Sequence, residues 1–257
     1  MPEYFDLISD HAAVVLWCGL ALFCGGVIKG TLGVGTPLLT VPMMALVLPA
    51  QSAVTLMAMP ILVANLWQAG SARNLAVVIR RFFPAAIALL FGTFIGTRIL
   101  SSIQDKWLLL VVGVIVILFT GLQTSSRKLS ITPKQVMPAG VVFGVLSGVI
   151  GGISSMFGPM LIVYLVSIRD MGKDDFVNAI SFLYVCAVVP WTFSLLFEGL
   201  LAGALLAGSL AAVLPVTAGM ILGRHLRGRI SEIRFRRLML AVLLISGSSM
   251  IWQSIHA

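Results

Sequence analysis

The stretch GTLGVGTPLLTVP, residues 30–42, interrupts a very apolar chain with three glycines and two prolines. Apolar runs flank it on both sides, and a helical run of about 20 residues crosses roughly 30 Å of hydrocarbon. Unpaired peptide groups are costly in hydrocarbon, so irregular backbone is tolerated there only where protein or a water-filled cavity satisfies it. The stretch therefore predicts a broken membrane helix whose ends face a polar cavity.

The composition of the chain indicates an integral membrane protein. Of the 257 residues, 59% are hydrophobic and 10% are charged, and the mean hydropathy is +1.08. These values lie far outside the balance of soluble globular domains. Apolar segments recur from end to end, approximately over 12–29, 36–49, 52–70, 82–99, 107–123, 137–153, 157–169, 176–197, 201–223 and 236–254. We therefore expect one all-α, polytopic membrane domain over 1–257.

Two of the ten segments are short. The second and the seventh have about 13 residues each, which corresponds to about 20 Å of helix. A helix of that length does not span a membrane unless one end stops inside it. The sequence thus predicts eight long spans and two short half-helices.

The distribution of basic residues predicts the orientation of the chain. If the acidic N-terminus lies outside and all ten segments cross, 15 of the 17 Lys and Arg residues lie inside, and only Arg98 and Lys106 lie outside. An excess of Lys and Arg is typical of cytoplasmic loops. With eight crossings, no orientation keeps the main basic loops together. We predict a multi-pass inner (plasma) membrane protein with both termini outside, and the net charge of +8 then reports orientation rather than a nucleic-acid partner.

The two halves of the chain repeat each other. GGVIKGTLGVGTPLLTV (25–41) aligns without gaps on SGVIGGISSMFGPMLIV (147–163). The alignment matches Gly26 to Gly148, Gly30 to Gly152, Pro37 to Pro159 and Leu39 to Leu161, and farther on Gly219 and Gly223 echo Gly92 and Gly96. Each half holds five segments, over 12–123 and 137–254, joined by a basic cytoplasmic loop over 124–136. Because five is odd, the second repeat is expected to be inverted, as in many secondary transporters.

Each half carries residues that suit a helix beginning inside the membrane. Gly33 and Gly35 permit unwound backbone, Pro37 suits a first helical turn, and Thr36 is expected to be the N-cap. The second half has its own set: Ser154, Ser155, Gly158 and Pro159. Two such helices, beginning from opposite sides, point free N–H groups and positive dipole ends towards the middle of the membrane. This arrangement predicts an anion site.

Several side chains are candidates to support that site. The hydroxyl groups of Thr31, Thr36, Ser154 and Ser155 are candidate donors to anionic oxygens. Lys29 can add a full positive charge one turn before the first break. Asn65 and Asn178 are candidates for the substrate path, because polar groups inside spans usually face a pathway or the bundle interior. The alternatives are close helix packing for the glycines and interhelical hydrogen bonds for the hydroxyls and amides.

The two repeat stretches resemble a known family. GVGTPLLTVP (33–42) and LSGVIGGISSMFGPMLIVYL (146–165) are similar to the two repeat signatures of the TauE/SafE family of sulfite exporter-like permeases, whose pattern is a glycine-rich run followed by apolar residues and proline. Gly33 and Gly35 match that pattern, whereas Met156 interrupts the second run. The resemblance covers nearly the whole chain. It implies movement of small anions, often sulfite, sulfonates or other sulfur-containing acids, across the inner membrane.

The sequence argues against an intramembrane enzyme. Such an enzyme needs a nucleophile with a base, a pair of aspartates, or metal ligands such as H-E-x-x-H inside the spans, and the apolar segments contain none of these. We expect no catalytic residue, no cofactor and no metal. The expected partners are a small anionic substrate and membrane lipid, and a homo-oligomer is left open. The alternative function is a membrane scaffold or assembly partner that does not transport.

Overall fold

The computed structural model describes residues 2–33, 35–70, 75–124, 130–226 and 232–256. Side chains are described for these ranges except for residues 2–11, 32, 75, 122–124, 173 and 232–239. Some basic residues that enter the predicted orientation lie outside the described residues: Arg73, Arg127, Lys128, Arg227 and Arg229.

The described residues form an all-α structure, as the sequence predicts. Its helices are α1 (Pro2–Leu32), α2 (Thr36–Met44), α3 (Ala50–Thr55), α4 (Ala58–Ala69), α5 (Leu75–Ser102), α6 (Asp105–Thr124), α7 (Val136–Ser154), α8 (Gly158–Ser167), α9 (Lys173–Phe197), α10 (Gly203–Leu226) and α11 (Glu232–His256). A 3-10 turn, Pro133–Gln135, precedes α7. With α3 and α4 taken as one interrupted segment, these helices follow the ten predicted segments in order.

Six stretches of the described chain are long and apolar enough to cross a membrane. They are Ala12–Thr31, Ala50–Ala69, Ala76–Ser102, Pro133–Ser154, Asp174–Phe197 and Gly203–Leu226. Shorter apolar helices cover Gly158–Ser167 and Leu240–His256. Six of the eight predicted long spans are therefore confirmed by length and composition, and the spans over α6 and α11 stay predictions.

The break between α3 and α4 is stabilised by a neighbouring helix. Pro60 lacks an N–H, so the carbonyl of Leu56, four residues earlier, loses its helical donor. The Ser209 hydroxyl of α10 donates to that carbonyl at 2.9 Å and accepts the N–H of Met59 at 3.0 Å. One serine thus satisfies both backbone groups and fixes the third segment against α10.

The short helix α2 runs back along α1. The Trp17 indole N–H donates to the carbonyl of Met43 at 2.7 Å, and the Thr40 hydroxyl donates to the carbonyl of Ala21 at 3.2 Å. Gly25 permits this approach, because a side chain there would overlap the Thr40 hydroxyl. The two helices are therefore antiparallel, and the end of α2 lies beside the first half of α1.

The second break falls at positions equivalent to the first. In the alignment of the repeat stretches, the last residue of α1, Leu32, corresponds to the last residue of α7, Ser154. The first residue of α2, Thr36, likewise corresponds to the first residue of α8, Gly158, and a proline follows each of them. Both halves thus interrupt their first helix in the same way.

Two helix crossings depend on glycine. At one, α1 packs against α10, and a side chain at Gly30 would overlap the carbonyl of Met220. At the other, α7 packs against α5, and a Cβ at Gly152 would lie 2.7 Å from the carbonyl oxygen of Thr93. The same crossings also contain other glycines that the sequence analysis aligned: Gly26, Gly219, Gly223, Gly92, Gly96 and Gly148. These glycines bring the helix backbones into direct contact, as close packing requires.

Candidate functional site

The backbone of the first break depends on two glycines. Gly33 has a φ of 82° and Gly35 a φ of 100°, in the left-handed region that favours glycine. Gly35, not Thr36, is the N-cap of α2, and no side chain caps this helix. The expectation that Thr36 is the N-cap is therefore wrong. Because glycine can turn the chain in the left-handed conformation, the helix begins one residue earlier than the threonine signal indicates, and Thr36 is its first residue.

The hydroxyl of Thr36 is buried without a hydrogen-bond partner in the described part of the chain. Thr36 is 2% exposed, and its Oγ1 has no hydrogen-bond partner among the described residues. A buried hydroxyl without a partner costs free energy, so each such group calls for an explanation. This hydroxyl lies in the first residue of a half-helix that no side chain caps.

The other predicted donors bond to nearby backbone carbonyls. The Thr31 hydroxyl donates to the carbonyls of Val27 and Ile28, both at 2.9 Å. Ser154 donates to the carbonyl of Ile150, and Ser155 donates to the carbonyl of Ser154. In this conformation the three hydroxyl groups donate to backbone carbonyls rather than to a bound anion.

The second break is fully buried and held by side chains from two helices. Ser155 adopts the left-handed conformation with a φ of 63°. The Trp191 indole N–H of α9 donates to the carbonyl of Gly152 at 3.1 Å, and the Ser147 hydroxyl donates to the carbonyl of Phe157. The bond from Trp191 satisfies a carbonyl in the last turn of α7, where the helix no longer supplies a donor. Phe157 is the N-cap of α8, and no side chain caps this helix either.

Lys29 is the one buried charged side chain in the part of the chain whose side chains are described, with 6% exposure. Its ammonium donates to Oδ1 of the Asn65 side chain at 2.7 Å and lies 5.5 Å from the centre of the Tyr184 ring. The Asn65 amide donates in turn to the carbonyl of Ile61 at 2.8 Å. Within the same residues, the only ion pair joins Arg98 to Glu198. The described contacts of Lys29 are therefore neutral.

Tyr184 links Lys29 to the second half-helix. A Cβ at Gly158, the first residue of α8, would overlap the Tyr184 hydroxyl. Tyr184 is thus in contact with the start of α8 on one side and with the Lys29 ammonium on the other. The structure places Lys29 and Gly158 against Tyr184, and Asn65 joins them through its bond to Lys29. Tyr184 is absent from the residues proposed from sequence, and a tyrosine inside an apolar span was the only signal that could have identified it.

A family model described as "Sulfite exporter TauE/SafE" matches residues 18–250. The chain belongs to the TauE/SafE family. The match covers both breaks and all the candidate site residues, so the resemblance predicted from the repeat stretches is confirmed. Comparisons with curated proteins and with solved structures each gave no match.

Membership fixes the general activity of the chain. TauE/SafE proteins are membrane transporters and not enzymes, so this chain is a multi-pass membrane transporter of that family. The roles of the individual site residues stay predictions. Asn178, for example, is half-buried on α9, six positions before Tyr184.

The two breaks of this TauE/SafE protein combine two features that favour an anion. Both half-helices begin without a side-chain cap, so no side chain occupies the positive ends of their dipoles. The Lys29 ammonium is buried among neutral described groups. A buried charge is stabilised when it is paired, and a bound anion would supply the missing negative charge.

Proposed function

We propose that this TauE/SafE protein is an inner-membrane secondary transporter of small anions, with sulfite, sulfonates or related sulfur-containing organic acids as substrates. The observation that carries the proposal is the buried ammonium of Lys29, which bonds to a neutral amide beside the first break and contacts Tyr184 at the second. An anion between the two breaks would neutralise that charge and accept hydrogen bonds from helix N-termini.

The proposed site comprises backbone and side-chain groups from both halves. Lys29 supplies charge, Asn65 holds the ammonium in place, and Thr36 supplies the hydroxyl donor that has no other described partner. The remaining proposed residues are Thr31, Gly33, Gly35, Pro37, Ser154, Ser155, Gly158, Pro159 and Asn178. To these we add Tyr184, because it contacts both Lys29 and the start of α8.

We also propose that the two halves are inverted repeats that alternate access to this site. The glycine crossings support this relation: α1, the first helix of one half, packs on α10, the fourth segment of the other, and α7 packs on α5 in the equivalent way. Such an exchange is expected when a two-fold axis relates two repeats. Rocking of one crossing against the other would expose the site to each side in turn.

Contacts between loops support the prediction of which loops lie on the same side of the membrane. The backbone N–H groups of Ala50 and Gln51 donate to the Asp105 carboxylate at 2.8 and 3.0 Å, and the ten-crossing topology assigns both loops to the outside. Ile131 and Ile168 form an isolated bridge, and the same topology assigns both of them to the inside. These contacts support the ten-crossing topology, and with the excess of basic residues assigned to the inside we propose that both termini lie outside.

Uptake into proteoliposomes tests the proposal. Labelled sulfite, sulfoacetate, thiosulfate and chloride are supplied to vesicles that contain the purified protein, with and without a pH gradient. We expect saturable uptake of at least one sulfur-containing anion, and the response to the gradient reports proton coupling. If folded, inserted protein moves none of these anions above the rate of empty vesicles, the proposal fails and a scaffold function is favoured.

A further inference from the structure

A groove runs along the surface between α5 and α9, away from the proposed anion site. Its apolar part has a volume of about 580 Å³ and is lined by bulky side chains, including Phe83, Ile87, Phe94, Phe182, Val189 and Phe193. A second part, of about 780 Å³, shares Phe94 and ends at Arg98 and Glu198. The two parts therefore meet at Phe94, and together they are mostly apolar and charged at one end.

The charged end presents both signs of charge side by side. One nitrogen of the Arg98 guanidinium, Nη1, donates to both carboxylate oxygens of Glu198, at 2.8 and 2.9 Å. A guanidinium has five N–H donors, so those on Nε and Nη2 are not used by this pair. The Arg98 side chain is 75% exposed and that of Glu198 is 21% exposed. Both groups can thus bind a further partner without breaking their own contact.

Glu198 keeps its negative charge at neutral pH. Hydrogen bonds from Arg98, and then from Ser101, hold the pKa of the Glu198 carboxyl below its ordinary value. A cation and an anion are therefore present together at the end of the groove, where α5 and α9 both finish.

We propose that this groove binds one phospholipid with a zwitterionic, primary-amine headgroup. The lipid phosphate accepts hydrogen bonds from the unused N–H groups of Arg98, and the headgroup ammonium donates to Glu198. One acyl chain lies in the apolar part of the groove, across Phe94. A helix from a second copy of the chain would match the apolar part but would leave the paired charges without a complementary partner, and for this reason we favour the lipid.

The dimensions of the groove fit one leaflet. Arg98 lies eleven residues beyond Ile87, and this separation corresponds to about 16 Å along a helix. Half of a hydrocarbon core of roughly 30 Å is about 15 Å. An acyl chain that begins at the charged pair therefore ends near Ile87, within the apolar part of the groove.

Native mass spectrometry of the full-length protein, with phosphatidylethanolamine, phosphatidylglycerol or phosphatidylcholine added, tests the proposal. We expect the wild type to retain one phosphatidylethanolamine with a preference over the other two lipids of about fivefold, the scale of a partly exposed charge pair. Glu198→Gln should remove that preference, and Arg98→Gln should weaken binding of all three phospholipids. The matched control is Arg169→Gln, because Arg169 is an exposed arginine that bonds only to Ser130 among the described side chains. This control should bind as the wild type does.

A variant in the apolar part keeps the test independent of the charges. Ile87→Trp fills an exposed part of the groove and should reduce retention of phosphatidylethanolamine while the helical circular dichroism stays unchanged. The proposal is overturned if the wild type retains the three lipids equally, if Glu198→Gln keeps the preference, or if two protein chains associate through this groove without lipid.

Discussion

The unpaired hydroxyl of Thr36 allows a matched comparison of binding and stability. Thr36 and Thr55 are both buried, with 2% and 0% exposure, and the Oγ1 atoms of both lack a partner among the described residues. Leaving a buried hydroxyl unsatisfied costs about 1–3 kcal/mol. Replacing either threonine by valine should therefore raise the stability of the anion-free protein by up to that amount.

The two variants should differ in anion binding. A hydrogen bond to a charged group contributes about 1.5–3 kcal/mol, and each 1.4 kcal/mol is about a factor of ten in affinity. If the Thr36 hydroxyl donates to the bound anion, Thr36→Val should bind sulfoacetate about 10- to 100-fold more weakly than the wild type. Thr55→Val should bind it with unchanged affinity, because Thr55 lies on α3, away from both breaks.

Calorimetric titration with sulfoacetate measures the affinities, and thermal unfolding without the anion measures the stabilities. The reasoning is refuted if Thr36→Val binds as tightly as the wild type, or if Thr55→Val loses as much affinity as Thr36→Val does. A loss in both variants would indicate a general effect on packing rather than a contact with the anion.

Three further predictions concern the backbone and the charged surface. Gly35→Val should abolish uptake while the protein still inserts. A branched residue at a φ of 100° costs about 1–3 kcal/mol, which should distort the first break. Normal uptake by this variant would remove Gly35 from the site. Gly152→Ala should lower the unfolding temperature, because its Cβ would lie 2.7 Å from the carbonyl oxygen of Thr93. The control is Gly19→Ala, whose Cβ would meet nothing within 4 Å and should leave the unfolding temperature unchanged. Equal unfolding temperatures for the two variants would contradict the close crossing of α5 and α7. The lowered pKa of Glu198 means that its ion pair adds stability above the ordinary glutamate pKa of about 4.3, and that this contribution disappears as the pH falls through the lower, folded-state value. The melting difference between wild type and Glu198→Gln should therefore vanish in acid, and a difference that persists would contradict the assignment.

Hydropathy and repetition predicted most of the fold. The ten segments and the two breaks follow from the lengths of apolar runs and from glycine and proline at aligned positions. The observed helix limits differ from the predicted ones where a helix extends beyond its apolar run. The fourth segment was expected to begin at residue 82, but α5 begins at Leu75 and includes Arg80 and Arg81. A helix can continue through charged residues, since its backbone hydrogen bonds do not depend on apolar side chains.

The site was only partly predictable from sequence. Lys29 and Asn65 were both proposed, but their direct hydrogen bond depends on how α1 and α4 each pack on α10. The position of Tyr184 between Lys29 and Gly158 likewise depends on helix packing. The capping role of Thr36 was wrong because a threonine signal does not reveal that the preceding glycine adopts the left-handed conformation. Tertiary packing sets the distances between helices, and local sequence patterns do not predict those distances.

The most direct test of the account is the affinity of the Lys29→Gln variant for sulfoacetate. At an effective dielectric constant of about 20, a unit charge about 4 Å from an anion contributes about 4 kcal/mol, so the account predicts binding at least ~100-fold weaker than in the wild type. Lys106→Gln is the control, because Lys106 is exposed beside Trp107 and its loss should leave affinity unchanged. Binding by folded Lys29→Gln within about threefold of the wild type, a difference of less than 1 kcal/mol, would contradict the claim that this buried ammonium holds the transported anion.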